Sequence, residues 1–68
     1  MYKSVLKFSR EMAGMSQSEL AKKSGISLKN IQSYEQGLRD INKASVLTVL
    51  QLAEALDTDI YGVIQPRE

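Results

Sequence analysis

Cysteine and histidine are both absent from this sequence. The first absence excludes disulfides and thiolate metal sites. The second removes imidazole ligands and the usual agent of general acid–base catalysis. No apolar run approaches the ~18 residues of a membrane span. The opening residues, Met1-Tyr2-Lys3-Ser4-Val5-Leu6-Lys7, lack the apolar stretch of a secretory signal. The expectation is therefore a cytoplasmic protein. Proline occurs once, at Pro66, so nothing breaks a helix before the tail. Strand-like alternation persists for no more than a few residues, while helical spacing recurs throughout.

What is there fits one small all-α domain spanning residues 1–68. A chain of this length buries only about 60% of the surface it exposes when unfolded. At 43% hydrophobic and 25% charged residues it is too apolar for a disordered tail. The net charge is only +1, but it is unevenly spread. Residues 1–43 carry eight bases and four acids; residues 44–68 carry one base and four acids. A basic front and an acidic back suit a protein that turns one face to a polyanion, although a chain this short also reaches such a split by chance.

Five helices are predicted. The first covers residues 3–13, with Tyr2, Leu6, Ser9 and Ala13 at steps of three or four and Val5 and Met12 seven apart; Gly14 ends it. The second opens on a capping box, Ser16-Gln17-Ser18-Glu19, turns Leu20 and Ala21 inward, and stops at Gly25. Ile26 plugs the turn and Ser27 caps a third helix over residues 28–36, which stops at Gly37. Residues 38–43 read as a loop. A fourth, very apolar helix covers residues 44–56. A short fifth helix starts near Asp59, which caps it, and carries Ile60, Tyr61, Val63 and Ile64; Gly62 weakens it.

The informative stretch is residues 16–37. Two short capped helices joined by the tight Ser24-Gly25-Ile26-Ser27 turn make a helix-turn-helix, the arrangement that presents a second helix to the DNA major groove. In this the sequence resembles the Cro/CI-like (XRE-type) helix-turn-helix repressors. The resemblance runs from about Leu6 to Ile64. It is carried by Arg10, Met15-Ser16-Gln17-Ser18-Glu19-Leu20-Ala21, Gly25-Ile26-Ser27, Ile31, Tyr34-Glu35-Gln36-Gly37 and Leu50-Gln51-Leu52-Ala53-Glu54-Ala55-Leu56. Together these are specific; any one alone is weak. Three features depart from the commonest pattern. The connection after Glu35 is about three residues longer and lacks the usual proline, Gln36 replaces an Asn, and Asp57 replaces a Gly.

The resemblance implies a compact five-helix, lambda-repressor-like fold and sequence-specific duplex binding, usually by a homodimer on a two-fold operator. If Ile31 and Tyr34 face inward, steps of about 100° point Lys29, Ser33 and Gln36 outward and leave Gln32 at the edge. The resemblance assigns base contacts to Leu28, Lys29, Gln32 and Ser33. Lys donates to guanine, Gln pairs with adenine, and Leu touches a thymine methyl. It assigns phosphate contacts to Gln17, Gln36, Arg39 and Lys43, with the Gln17 amide adding a helix N-terminus. Each has a plainer reading. Leu28 serves equally as the edge of the core; Lys29 as solvated or phosphate-bound charge; Arg39 and Lys43 as plain surface charge; Gln32 and Ser33 as silent surface. Arg10 and Glu35 resemble a family pair that forms an interhelical salt bridge, so Glu35 is not read as a catalytic carboxylate.

No cofactor, metal or small-molecule ligand is implied. The glycines are scattered rather than gathered in a phosphate loop, and no Ser or Thr has a base beside it, so an enzyme is not expected. The apolar fourth helix reads in two ways. One is a dimer face formed by its end, the fifth helix and the tail (residues 65–68). The other is a central helix buried all round. Phe8 falls off the main stripe of its helix, exposed or used for docking. The competing functional class is an antitoxin-like interaction module holding a partner protein through the last two helices. The Met1 start and charged end set the expectation of a whole chain rather than an excised domain.

Overall fold

The structure, a computed structural model, describes residues 3–66. Four α-helices and two short 3₁₀ turns follow one another: α1 (Val5–Met12), α2 (Gln17–Ser24), α3 (Leu28–Gln36), a turn at Ile41–Lys43, α4 (Val46–Ala55) and a turn at Ile60–Gly62. Among the described residues no strand is present and no helix is long and apolar enough to cross a membrane.

Every helix starts on a serine. Ser4, Ser16, Ser27 and Ser45 each accept a backbone N–H three residues on, satisfying a donor that the helix itself leaves unpaired. Because Ser4 is the cap, α1 begins at Val5, two residues later than the periodicity predicts. Its inward stripe is Leu6 and Arg10, one turn apart. Ser9 is half-buried, whereas Ala13 and Met12 are exposed; Tyr2 lies outside the described residues. The Ser16–Glu19 capping box forms in both directions, at 3.0 and 2.8 Å. Gly25, with φ +78°, stops α2 in the left-handed region, where a side chain is strained.

Two expectations about the second half are corrected. Residues 38–43 are not simply a loop. The Asp40 carboxylate accepts from the Asn42 N–H at 2.9 Å, winding a turn that drops Ile41 into the core. The fifth helix is only the 3₁₀ turn Ile60–Gly62. Asp59 does cap it, accepting from Tyr61 at 3.0 Å, but Val63 leaves helical geometry and buries itself. Gly62 is there for space: a Cβ would lie 2.5 Å from the Thr58 hydroxyl oxygen.

The core is built from Leu6, Leu20, Ile31, Ile41, Leu52 and Val63, all essentially sealed from solvent. Helix α2 packs on both α3 and α4. Helix α4 is half core, half surface. Val49, Leu52, Ala53 and Ala55, with Leu56 just beyond the helix, are buried, while other positions are open, so the helix is not buried all round. The exposed apolar residues stand at its start: Val46, Leu47 and Leu50. Asp57, at φ +55°, ends the segment in the left-handed region that Asp tolerates.

Gln65 ties the two ends together. Its backbone exchanges two bonds of 2.7 Å with the Asn42 side chain. Its own side chain accepts from the Val5 N–H at 3.1 Å and donates to the Lys3 carbonyl.

Candidate nucleic-acid interface

The interface is organised by α3. Ile31, Tyr34 and Glu35 are buried, so rotation about the helix axis turns Lys29, Ser33 and Gln36 away from the core. Lys29 and Gln36 are exposed; Gln32 and Ser33 are half-buried. Leu28, in the first turn, is 37% exposed, so it sits at the margin rather than in the core. This face is mostly polar, carries a cation and is open at Lys29 and Gln36.

Each flank of the face is fixed by a side-chain network. On one side Arg10, on α1, grips Glu35 with two bonds: Nε to Oε2 at 2.7 Å and Nη2 to Oε1 at 3.0 Å. Its third nitrogen donates to the Met15 carbonyl at 2.8 Å, so the guanidinium also holds the α1–α2 connection. The bonds to Glu35 raise the Arg10 pKa above its ordinary value against the opposing effect of burial. The same carboxylate accepts from Gln17 Nε2 at 3.0 Å. An ionised carboxylate only accepts, so the Gln17 amide must turn its nitrogen inward and its oxygen outward. That oxygen lies 3.5 Å from Gln32 Nε2. The pair is thus linked through Gln17 to the edge of the outward face.

On the other side stands Arg39. Gly37, in the left-handed conformation, reverses the chain, and the Ser33 carbonyl then accepts from both Leu38 and Arg39 N–H groups, at 2.9 and 3.2 Å. The Arg39 guanidinium lies 5.4 Å from the Tyr34 ring centre and donates to Asn30 Oδ1 at 2.9 Å.

The structure therefore gathers Arg10, Glu35, Gln17 and Gln32 into one chain of contacts and gathers Arg39 with Tyr34. Leu28, Lys29, Ser33 and Gln36 share α3 with them. Lys43 is exposed at the end of the turn Ile41–Lys43. Sequence reasoning missed Asn30. Its one signal is spacing: Asn30 and Tyr34 are four apart and share a flank of the helix. Beyond this face, Ile60 and Tyr61 are exposed beside α4, and Leu50 and Ile60 line one shallow groove. Phe8 is exposed on α1.

The HTH_3 helix-turn-helix family model matches residues 6–63. Among solved structures, the chain is similar to the restriction-modification controller protein C.AhdI from Aeromonas hydrophila. The two are 33% identical, with 85% of this chain and 83% of that chain covered, at a TM-score of 0.75. No curated protein matches the chain.

Proposed function

The chain belongs to the XRE-type helix-turn-helix family of DNA-binding transcription regulators, which are not enzymes, and from that premise we propose that it is a homodimeric, sequence-specific repressor. In this reading α3 lies in the major groove and blocks promoter access by occupancy. Leu28, Lys29, Gln32 and Ser33 touch base edges. Gln36, Arg39 and Lys43 hold phosphates with their side chains, and Gln17, whose amide nitrogen is taken up by Glu35, does so with its backbone N–H at the start of α2. Arg10 and Glu35 stay inside and keep α1 against α3. The protein works in the cytoplasm as a single domain.

The carrying observation is the outward face of α3: mostly polar, open at Lys29 and Gln36, and bordered by two side-chain networks that fix its edges. Such a face offers donors and acceptors in a rigid frame, which is what major-groove reading requires. Likeness to a controller protein supports a regulatory role.

For the homodimer, the apolar residues left exposed by the fold supply the contact: Val46, Leu47 and Leu50 on the first half of α4, with Ile60 and Tyr61. In this reading the contact takes in the first half of α4 together with the segment predicted as the fifth helix. Of the tail, Arg67 and Glu68 lie outside the described residues.

Methylation interference tests the reading. Methyl groups on guanine N7 within each half-site should block binding, because that atom lies in the major groove. Methylation of adenine N3, in the minor groove, should be tolerated. The reverse pattern would move α3 out of the major groove. If no duplex binds at all, a partner-protein module is the remaining reading.

A further inference from the structure

We propose that Asn30 is a positioning residue for Arg39, holding its guanidinium beside the α3 face, and that it is not itself a base reader. The inference rests on the DNA-binding reading of that face.

Three constraints fix Arg39 before any ligand arrives. The Ser33 carbonyl captures its N–H, which places its backbone beside the last turn of α3. The Tyr34 ring, almost wholly buried, provides a flat surface under the guanidinium at 5.4 Å. Asn30 Oδ1 then accepts from Nη1 at 2.9 Å and sets the rotation of the planar group. The Asn30 backbone is set by the start of the helix, its N–H donating to the Ser27 cap at 3.1 Å. A guanidinium carries five N–H donors. One is used here, and the others remain for a phosphate.

The same bond turns the Asn30 amide toward Arg39 and away from paired base reading. Paired recognition of adenine needs both the amide oxygen and the amide nitrogen. The bond from Arg39 takes one of the two lone pairs of the Asn30 oxygen and turns the amide toward Arg39. A residue in the first turn of a recognition helix would ordinarily be taken for a reader; here it acts through its neighbour. A free arginine loses rotamer freedom when it docks, at a cost that lowers affinity by about two- to tenfold. Asn30 meets that cost in the free protein.

The test is a double-mutant cycle on the full chain, read by duplex binding over a salt series. Asn30→Ala should weaken binding about two- to tenfold and equally on all sequences. Arg39→Ala should weaken it more and reduce the salt slope by about one. Asn30→Ala added to Arg39→Ala should change nothing further. A second readout uses the unliganded protein. The Arg39 side-chain protons should show a ring-current shift from Tyr34, and their Nε–H should be ordered. Asn30→Ala should abolish both while the melting temperature holds.

An additive loss in the double variant would make Asn30 a DNA contact in its own right. A changed base preference at one position in Asn30→Ala would make it a reader. Either result overturns the proposal, as does an Arg39 signal that Asn30→Ala leaves unchanged. If the native chain binds no duplex, the functional reading fails. The positioning claim is then decided by the Arg39 signals alone.

Discussion

Arg10 and Glu35 are joined across the interior by two bonds, from α1 to α3, at 2.7 and 3.0 Å. Both residues are buried, and the carboxylate is shared with Gln17 on α2. One ion pair therefore ties together three of the four helices, including the two that make the helix-turn-helix.

Removing one partner leaves the other charge stranded indoors. Arg10→Ala should cost about 3–5 kcal/mol, a large share of the ~5–15 kcal/mol by which small domains are stable. Replacing both, as Arg10→Met with Glu35→Leu, should recover much of that loss, since neither charge then remains buried. Urea denaturation of the two variants decides this. An unchanged midpoint for Arg10→Ala would show that the pair carries no stability.

The closure of the chain ends is a second such point. Gln65→Ala strips the Val5 N–H of its acceptor and the Lys3 carbonyl of its donor. Asn42→Ala breaks both bonds to the Gln65 backbone. Each should destabilise by about 1–3 kcal/mol, and together by less than the sum, because they belong to one network. Independent, additive effects in denaturant titrations would mean that the two contacts are unrelated.

Acid should weaken α2 through its capping box. The backbone N–H of Ser16, and then its hydroxyl, hold the Glu19 carboxyl below its ordinary value. A depressed carboxylate contributes stability that is present above its unfolded value, about pH 4.3, and is lost as pH falls through the folded one. The stability difference between the native chain and Glu19→Gln should therefore be constant from neutral pH down to about pH 5 and shrink below pH 4. A difference that ignores pH would assign the cap's effect to shape rather than charge.

Assembly should depend on the open side of α4. Leu47 is 66% exposed, so Leu47→Lys removes little core packing. It should leave the melting temperature of the isolated chain nearly unchanged while converting dimers to monomers in sedimentation. A dimer that survives this change would place the contact elsewhere.

How much of this was legible depended on distance along the chain. Serine caps and glycine stops act within four residues, so α2 and α3 could be bounded from Ser16, Gly25, Ser27 and Gly37 alone. The inward pair Ile31 and Tyr34 followed from helical spacing. The turn at Ile41 was missed because Asp40 winds it through a side-chain bond that composition does not reveal. The fifth helix failed because Val63 gains more from burial than from continuing a helix over Gly62. For α4, apolar residues on every side cannot say which side is covered; only packing against α2 does. The Gln65 closure and the Arg39–Asn30 contact join residues 23, 62 and 9 positions apart and have no local signal. Arg10 and Glu35 were anticipated only through family resemblance.

The central claim is that the outward face of α3 reads duplex DNA as a two-fold unit. Selection from a randomised duplex library tests it most directly, run with the native chain and with Lys29→Ala/Ser33→Ala at two salt concentrations. An enriched inverted repeat is expected, with half-sites about one helical turn apart, that the double variant fails to enrich. Binding without enrichment, fading equally for both proteins as salt rises, would mean phosphate attraction alone and would contradict it.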